Sequence, residues 1–233
     1  MRRYLILAVA FAVAAVCGRL GLWQLDRRER RQVRNQLVVT RSAMPPLELT
    51  ADSDPDSLVF RRVLLSGSFD FERQIVEVAR SFRGTPAVNV VTPLLLPGGK
   101  AVLVERGSVL SPDARTVDLA KLVEPDSTVV VGVLIPVERG IAAGYGWPRY
   151  VRHANPVELE AEYPYALFPL VLRRTDLPAA APADLAVVPL PELTGGPHLS
   201  YAIQWFSFAV IAVVGSLVLF VRSSAARGLP PVS

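Results

Sequence analysis

The sequence predicts a membrane protein in which two transmembrane α-helices flank a mainly antiparallel β (α+β) extramembrane domain, an open sheet or a partly closed barrel. Three observations predict it. Tyr4 to Leu25 and Leu199 to Val221 are almost entirely apolar, and at about 1.5 Å per residue each extends roughly 33 Å, enough for a bilayer core. Between them lie short segments rich in Val and Leu, punctuated by Gly, Pro and charge, with no helical stretch long enough for parallel crossovers. A chain of 233 residues, 51% of them hydrophobic, has material for these two helices and one further domain.

Met1-Arg2-Arg3 before the first apolar run resembles the start of a signal peptide, with Ala12-Val13-Ala14 as a cleavage pattern. Apolar character resumes after Arg19 as far as Leu25, which favours an uncleaved anchor over residues 4–25. Arg19 lies near one end of it, where a long stem can snorkel to the headgroups, and Trp23 marks the outer interface. Asp26 to Gln36 continues the helix as a basic rod that reads either as a solvated face or as a contact for lipid headgroups or a partner. Met44-Pro45-Pro46 and the turn-rich Thr50 to Ser57 complete an extension and linker over residues 26–57. Cys17, the one cysteine, excludes an intrachain disulfide, a CxxC site and covalent c-type haem attachment. Bulky Val16 before it argues against a lipoprotein site, which leaves the thiol as buried packing. Small residues at Ala10, Ala14 and Gly18, and at Ala209, Ala212 and Ser216, either let the two helices approach closely or reflect alanine-rich composition.

The domain occupies residues 58–190. Phe60 to Phe69, Gln74 to Ala79, Val88 to Leu96, Ala101 to Glu105, Thr128 to Val137, Ala166 to Leu172 and Leu185 to Pro189 read as strands. Pro97-Gly98-Gly99-Lys100 signals a tight hairpin, and Gly132 a bulge. Asn155-Pro156-Val157-Glu158 carries a capping-box pattern with proline at the first helical position, so a short helix should run to about Tyr163.

Residues 191–198 lead into the second apolar helix. Pro197 suits a helix start, because its missing amide proton would have had no partner there. His198 then falls at interface depth with Tyr201 and Trp205 as aromatic anchors. At roughly 100° per residue, His198, Tyr201, Trp205 and Phe208 share an arc of about 80°, with Gln204 beside it. That face has two readings: a plain interfacial belt, or an imidazole among flat rings, which is what an axial haem ligand requires. Charge asymmetry gives conflicting orientations. The arginines from Arg27 to Arg34 outnumber Arg2 and Arg3, whereas Arg222 and Arg227 follow the second helix and no Lys or Arg separates it from Arg174. The second asymmetry is cleaner, so residues 1–3 and 222–233 are expected in the cytoplasm and the domain outside it.

Composition and motifs give little to chemistry. The formal charge of +4 gathers beside the first helix instead of spreading over a face, so nucleic acid is excluded as a partner and a lipid bilayer is the simpler one. His153 is the domain's sole histidine and reads as a surface or capping residue, so Ser108, Ser111 and Asp113 lack an oriented base for a hydrolase triad. Gly98-Gly99 serves a hairpin and no phosphate loop follows a strand. No spacing of Cys, His and carboxylates suits a metal, and Glu158, Glu160 and Glu162 do not share a helix face. The chain is expected not to be an enzyme.

Four motifs carry a family resemblance: Gly21 to Arg28 (GLWQLDRR), Phe60 to Asp70 (FRRVLLSGSFD), Val91 to Leu94 with the hairpin into Val102 to Gly107 (VLVERG), and His198 to Phe206 (HLSYAIQWF). Their order and spacing over nearly the whole chain resemble the surfeit locus protein family of cytochrome c oxidase assembly factors, bacterial type. The family often has Asn near the histidine where this chain has Gly196-Pro197, Asn-Arg-Gly-Trp where it has Glu105-Arg106-Gly107-Ser108, and Tyr-Arg where it has Phe60-Arg61. Arg106 and Gly107 keep the pattern but read first as a strand-end arginine and a turn glycine.

The resemblance implies a multi-pass protein of the cell membrane with both termini cytoplasmic, which matures haem-copper oxidase. Its bacterial members are associated with haem a, and that association carries onto His198. The expected site holds haem a non-covalently at the seam of the two helices, with the iron on His198 and the ring against Tyr201 and Trp205. Trp23 would close the other side, and Arg19 or the Arg27 to Arg34 run would meet the propionates. The domain would dock on oxidase subunits, the haem-bearing one foremost. The alternative is a haem-free membrane scaffold that binds assembling oxidase subunits.

Overall fold

The computed structural model describes residues 2–50, 53–125, 127–138, 142–143, 146–190 and 193–225. Met1, parts of the Thr50 to Ser57 turn and of the 191–198 lead-in, and the expected tail beyond residue 225 with Arg227 lie outside them. The chain runs α1 (Arg2–Ala43), β1 (Leu47–Glu48), α2 (Pro55–Leu58), β2 (Arg62–Phe69), β3 (Ile75–Phe82), β4 (Thr85–Leu95), β5 (Lys100–Leu110), β6 (Ser127–Ile135), β7 (Ala142–Ala143), β8 (Arg149–Val151), α3 (Pro156–Leu159), β9 (Ala166–Arg174) and α4 (His198–Ala225). It divides into two compact units, Leu37–Glu192 and the two helical arms Met1–Gln36 with Leu193–Ser233.

In the first unit the strands form one sheet in the order β1-β2-β6-β9-β5-β4-β3-β8-β7. Strand β2 also pairs with β4 through Ser68↔Leu95 and Phe69↔Leu94, so β2, β6, β9, β5 and β4 close into a five-stranded barrel. Alternation sorts the side chains. Val63, Leu65, Leu94, Val102, Val104, Val130 and Leu172 pack together inside the barrel. Ile75, Val91, Leu103 and Val171 point the other way and are covered by Val151, Ala154, Leu159 and Tyr163. Most pairings are antiparallel, while β5–β9, β3–β8 and β1–β2 are parallel.

Two expectations need correction. Gly132 is no bulge: β6 keeps continuous register through it against β2. Glycine is required because a Cβ there would run into the carbonyl oxygen of Arg173 on β9, as one at Gly67 would meet that of Leu95 on β4. The stretch from Leu185 to Pro189 is not a strand either, since it pairs through one bridge, Ser108↔Ala186. The helix at Asn155 forms as its cap dictates: the Asn155 side chain accepts from the Val157 amide at 3.0 Å, and α3 passes into a 3-10 turn ending at Glu162.

In the second unit α1 and α4 run antiparallel, with Tyr4 against Phe220 at 5.9 Å near one end and Asn35 donating to the Thr194 carbonyl at 3.2 Å near the other. Both are long and apolar enough to cross a membrane, and only 11% and 6% of their most apolar windows is buried, unlike the core helix of a soluble protein. The covered positions include Ala10, Ala14, Cys17, Gly21, Gln24 and Arg28 of α1 and His198, Ala202, Trp205, Ala209, Ala212 and Ser216 of α4, spaced alternately by four and three residues along one face of each helix. The Phe206 ring packs against Gly21, where a Cβ would lie 2.7 Å from it, whereas at Gly18 a Cβ would meet nothing within 4 Å.

Gly67→Ala and Gly132→Ala are expected to destabilise the chain by about 1–3 kcal/mol each through forced separation of strands. Thermal unfolding of the purified full chain, followed by circular dichroism, checks this; Gly18→Ala should not lower the midpoint.

Candidate functional site

Two clusters of polar side chains stand out, one in each unit. The barrel cluster begins at a bulge: Val90 and Val91 of β4 pair with Gly107 and Glu105 of β5, which leaves Arg106 as the extra residue. Arg106 is wholly buried, and its Nε donates to Glu124 at 2.8 Å while Nη2 donates to the Leu122 carbonyl. Nη1 reaches Gln74 Oε1 at 3.3 Å and Thr92 Oγ1 at 3.5 Å. The rings of Phe69 and Phe71 lie 5.4 and 5.1 Å from the guanidinium carbon. Arg174 grips both oxygens of the same Glu124, at 3.0 and 2.8 Å. Burial lowers the Arg106 guanidinium from its ordinary value, opposed by Glu124; arginine stays charged regardless. Gly107 keeps the family pattern for a steric reason, because a Cβ would lie 2.6 Å from the Leu185 side chain and 2.7 Å from the Ala186 carbonyl.

On the outer face of the same strands, Asn89 donates to Glu105 at 2.6 Å and Arg173 pairs with that carboxylate. Glu77 accepts from Arg80 at 2.8 Å and from the Ala154 amide at 2.7 Å. Burial first, and then the Glu105 carboxylate, raise the Glu77 carboxyl above its ordinary range. His153 is half-buried, with Nδ1 3.2 Å from Arg80 Nη2, and Ser111 serves Asp113 within a turn at 2.7 Å. Asp70 of the second motif accepts from Tyr165 at 2.7 Å and from Arg73 at 3.1 Å. These polar groups are engaged with one another.

The helical unit differs. His198, the first residue of α4, is half-buried, and its Nδ1 lies 3.0 Å from Gln24 Oε1 of α1. A carbonyl oxygen only accepts, so with Oε1 on that side the ring would carry its proton on Nδ1 and its lone pair on Nε2. Gly196, with φ +64°, makes room beside it: a Cβ there would lie 3.2 Å from Arg31 Nη1 and 3.4 Å from His198 Nε2. A guanidinium and the Nε2 edge of the imidazole therefore border the same small space. Arg31 is exposed and has no carboxylate partner among the described residues. Likewise among the described residues, no three His, Cys, Asp or Glu side chains converge as a metal site would need.

The structure brings only some of the sequence-derived residues together. Trp205 is half-buried beside the seam and meets Phe208 edge to face at 6.0 Å, while Tyr201 is 48% exposed on the outer side. Arg19 and Trp23, two residues either side of seam-facing Gly21, turn to the opposite face of α1, where Arg27 lies 5.3 Å from the Trp23 ring. Gln24 and Arg31 were the functional candidates not singled out by sequence. Their signal was weak: Gln24 is an uncharged polar residue at the end of an apolar run, and Arg31 is one of five arginines.

A closed five-stranded barrel that the sequence inserts between two long apolar helices, with an imidazole beside an amide where those helices meet, defines a two-helix barrel protein. The chain belongs to the SURF1 family, whose profile matches residues 11–210. It is 28% identical over 205 residues to uncharacterized SURF1-like proteins of Mycobacterium bovis and Mycobacterium tuberculosis, covering 84% of this chain and 74% of theirs. It is 24% identical over 143 residues to the cytochrome oxidase assembly protein SHY1 of Saccharomyces cerevisiae, covering 58% of this chain and 37% of that one.

Two outcomes follow from the barrel cluster. Glu124→Gln leaves two buried guanidinium groups without a counter-charge and is expected to cost about 3–5 kcal/mol in urea unfolding of the full chain. Glu77 holds its proton more tightly folded than unfolded, so its contribution to stability falls as pH rises from the unfolded carboxylate value of about 4.3 through the raised folded value. The stability of Glu77→Gln relative to the parent should therefore improve across that window, measured by unfolding at stepped pH.

Proposed function

We propose that this chain is an assembly factor for haem-copper cytochrome c oxidase that holds haem a non-covalently and hands it to the haem-bearing subunit. Membership of the SURF1 family and the likeness to SHY1 support the assembly role. The observation that carries the cofactor is the His198 imidazole, whose Nε2 lone pair is kept available by the bond from Nδ1 to Gln24. When bound, haem would supply an iron that takes an axial imidazole, together with two propionate carboxylates. A lone imidazole suits a metal that arrives already ringed by its own nitrogens, since no further protein ligands gather around it among the described residues.

In this reading His198 would hold the iron, and Trp205 and Tyr201 would offer rings to the cofactor's apolar body. Arg31, bordering the space above Gly196, takes the propionate role within the Arg27 to Arg34 run. Arg19 and Trp23 would take part only with a ligand extending round α1, because they face away from the seam. Residues 4–25 and 199–221 cross the cell membrane, both termini are cytoplasmic, and the barrel works outside, docking on oxidase subunits. The antiparallel pairing of α1 and α4, which brings Tyr4 to Phe220, supports termini on one side. No catalytic step is assigned to the chain.

The full chain purified from cells that make haem a is expected to carry it, and His198→Ala to lose most of its haem and Soret absorption. A variant with the parent's haem content and spectrum removes the ligand assignment. Haem absent from a parent chain that co-purifies with oxidase subunits would make the protein a haem-free scaffold.

A further inference from the structure

We infer that Gln24 is a positioning residue that selects the tautomer of His198, and that Arg31 enforces the same choice from the other side of the ring. The functional half of this inference rests on the reading that His198 takes a haem iron; the tautomer itself does not. An imidazole half-buried between helices has two neutral forms, and only the one protonated on Nδ1 offers Nε2 as a donor of electrons. Gln24 Oε1 at 3.0 Å accepts the Nδ1 proton.

The amide of Gln24 can in principle be turned round to donate its own hydrogen to Nδ1, which would move the ring proton to Nε2. Arg31 argues against that arrangement. Its Nη1 and the His198 Nε2 edge border the same space above Gly196, at 3.2 and 3.4 Å from where a Cβ would be. A guanidinium carries only donors, so a lone pair on Nε2 is attracted to it and an N–H there is repelled. Gly196 is a glycine for two compatible reasons: its φ of +64° is one that side chains rarely adopt, and a methyl group would fill the gap.

The domain histidine supplies an internal reference. His153 Nδ1 faces Arg80 Nη2 at 3.2 Å, and since arginine can only donate, an N–H on Nδ1 would meet a donor, which favours the ring protonated on Nε2. The chain has two histidines, so the structure assigns one to each tautomer.

The test uses the full chain labelled with 15N-histidine and purified without haem in detergent micelles, with nitrogen chemical shifts reporting which ring nitrogen bears the proton. The parent should show one ring of each kind, and His198→Ala should remove the Nδ1–H form. Gln24→Leu should convert His198 to the Nε2–H form or a mixture, whereas Gln24→Glu, which keeps an acceptor, should preserve it. An Nε2–H ring at His198 in the parent, or an unchanged Nδ1–H ring in Gln24→Leu, overturns the inference. Titration with haem a then separates the two claims: Gln24→Leu should bind about 10–100-fold more weakly and Gln24→Glu close to the parent. If Gln24→Leu loses the tautomer but binds haem as the parent does, Gln24 does not act on the cofactor. If His198→Ala also binds unchanged, the haem reading fails while the tautomer assignment stands.

Discussion

The two residue pairs that join Ser68 and Phe69 of β2 to Leu95 and Leu94 of β4 turn an open sheet into a barrel, and most of the domain's chemistry follows from that closure. Closing removes the free edges of the five barrel strands and encloses a space just wide enough for their inward side chains. The middle is filled by branched aliphatic groups, but β5 and β9 continue inward to Arg106 and Arg174, and charge must be accommodated there. Two guanidinium groups share the one carboxylate of Glu124, so charge pairing alone does not balance. The remainder is met by acceptors and by ring faces: Gln74 Oε1, Thr92 Oγ1, the Leu122 carbonyl, and Phe69 with Phe71. Such a network specifies the end of the barrel more than it strengthens it, because an apolar filling of equal volume would be no less stable.

The same accounting separates the two units by role. In the barrel, donors and acceptors are turned on one another, and the half-buried His153 is held by Arg80. At the helix pair the reverse holds, since the Gln24 bond uses one ring nitrogen of His198 and leaves the other facing a gap shared with an uncommitted arginine.

Much of this was legible in the sequence where the pattern is local. Apolar runs of membrane length, the Asn155 cap, the hairpin at Gly98-Gly99 and most strand positions depend on neighbours within a few residues. What escaped depends on distant pairs. The bridge at Ala186 looked like a strand because Leu185 to Pro189 is apolar, yet its burial comes from lying over Gly107 and not from a ladder. Gly132 looked like a bulge because glycine often marks one, but here it yields room to the Arg173 carbonyl of β9, distant in sequence and adjacent in the sheet. The short strands β1, β7 and β8 carry too few residues to show a period. At the candidate site His198 and its rings were visible, but the helical wheel does not say which side meets the partner helix. Ala202, buried at 1% exposure, shows that the seam runs along the edge of the aromatic arc and leaves Tyr201 outside.

That seam also explains how an imidazole and an amide far apart in sequence are brought within 3.0 Å. Small residues alone would let α1 and α4 slide, because alanine packs on alanine in many registers. Gly21 removes the freedom: the Phe206 ring occupies the space its side chain would have taken, which fixes one point of the pair. Gln24 follows Gly21 by almost one turn, and His198 precedes Phe206 by about two, so once that contact is set the two polar groups arrive on the same side of the joint. A slip of one residue along either helix would rotate its face by about 100° and strand both in apolar surroundings. The hydrogen bond and the glycine contact are thus two halves of one register lock, with packing choosing the alignment and the polar pair penalising every other.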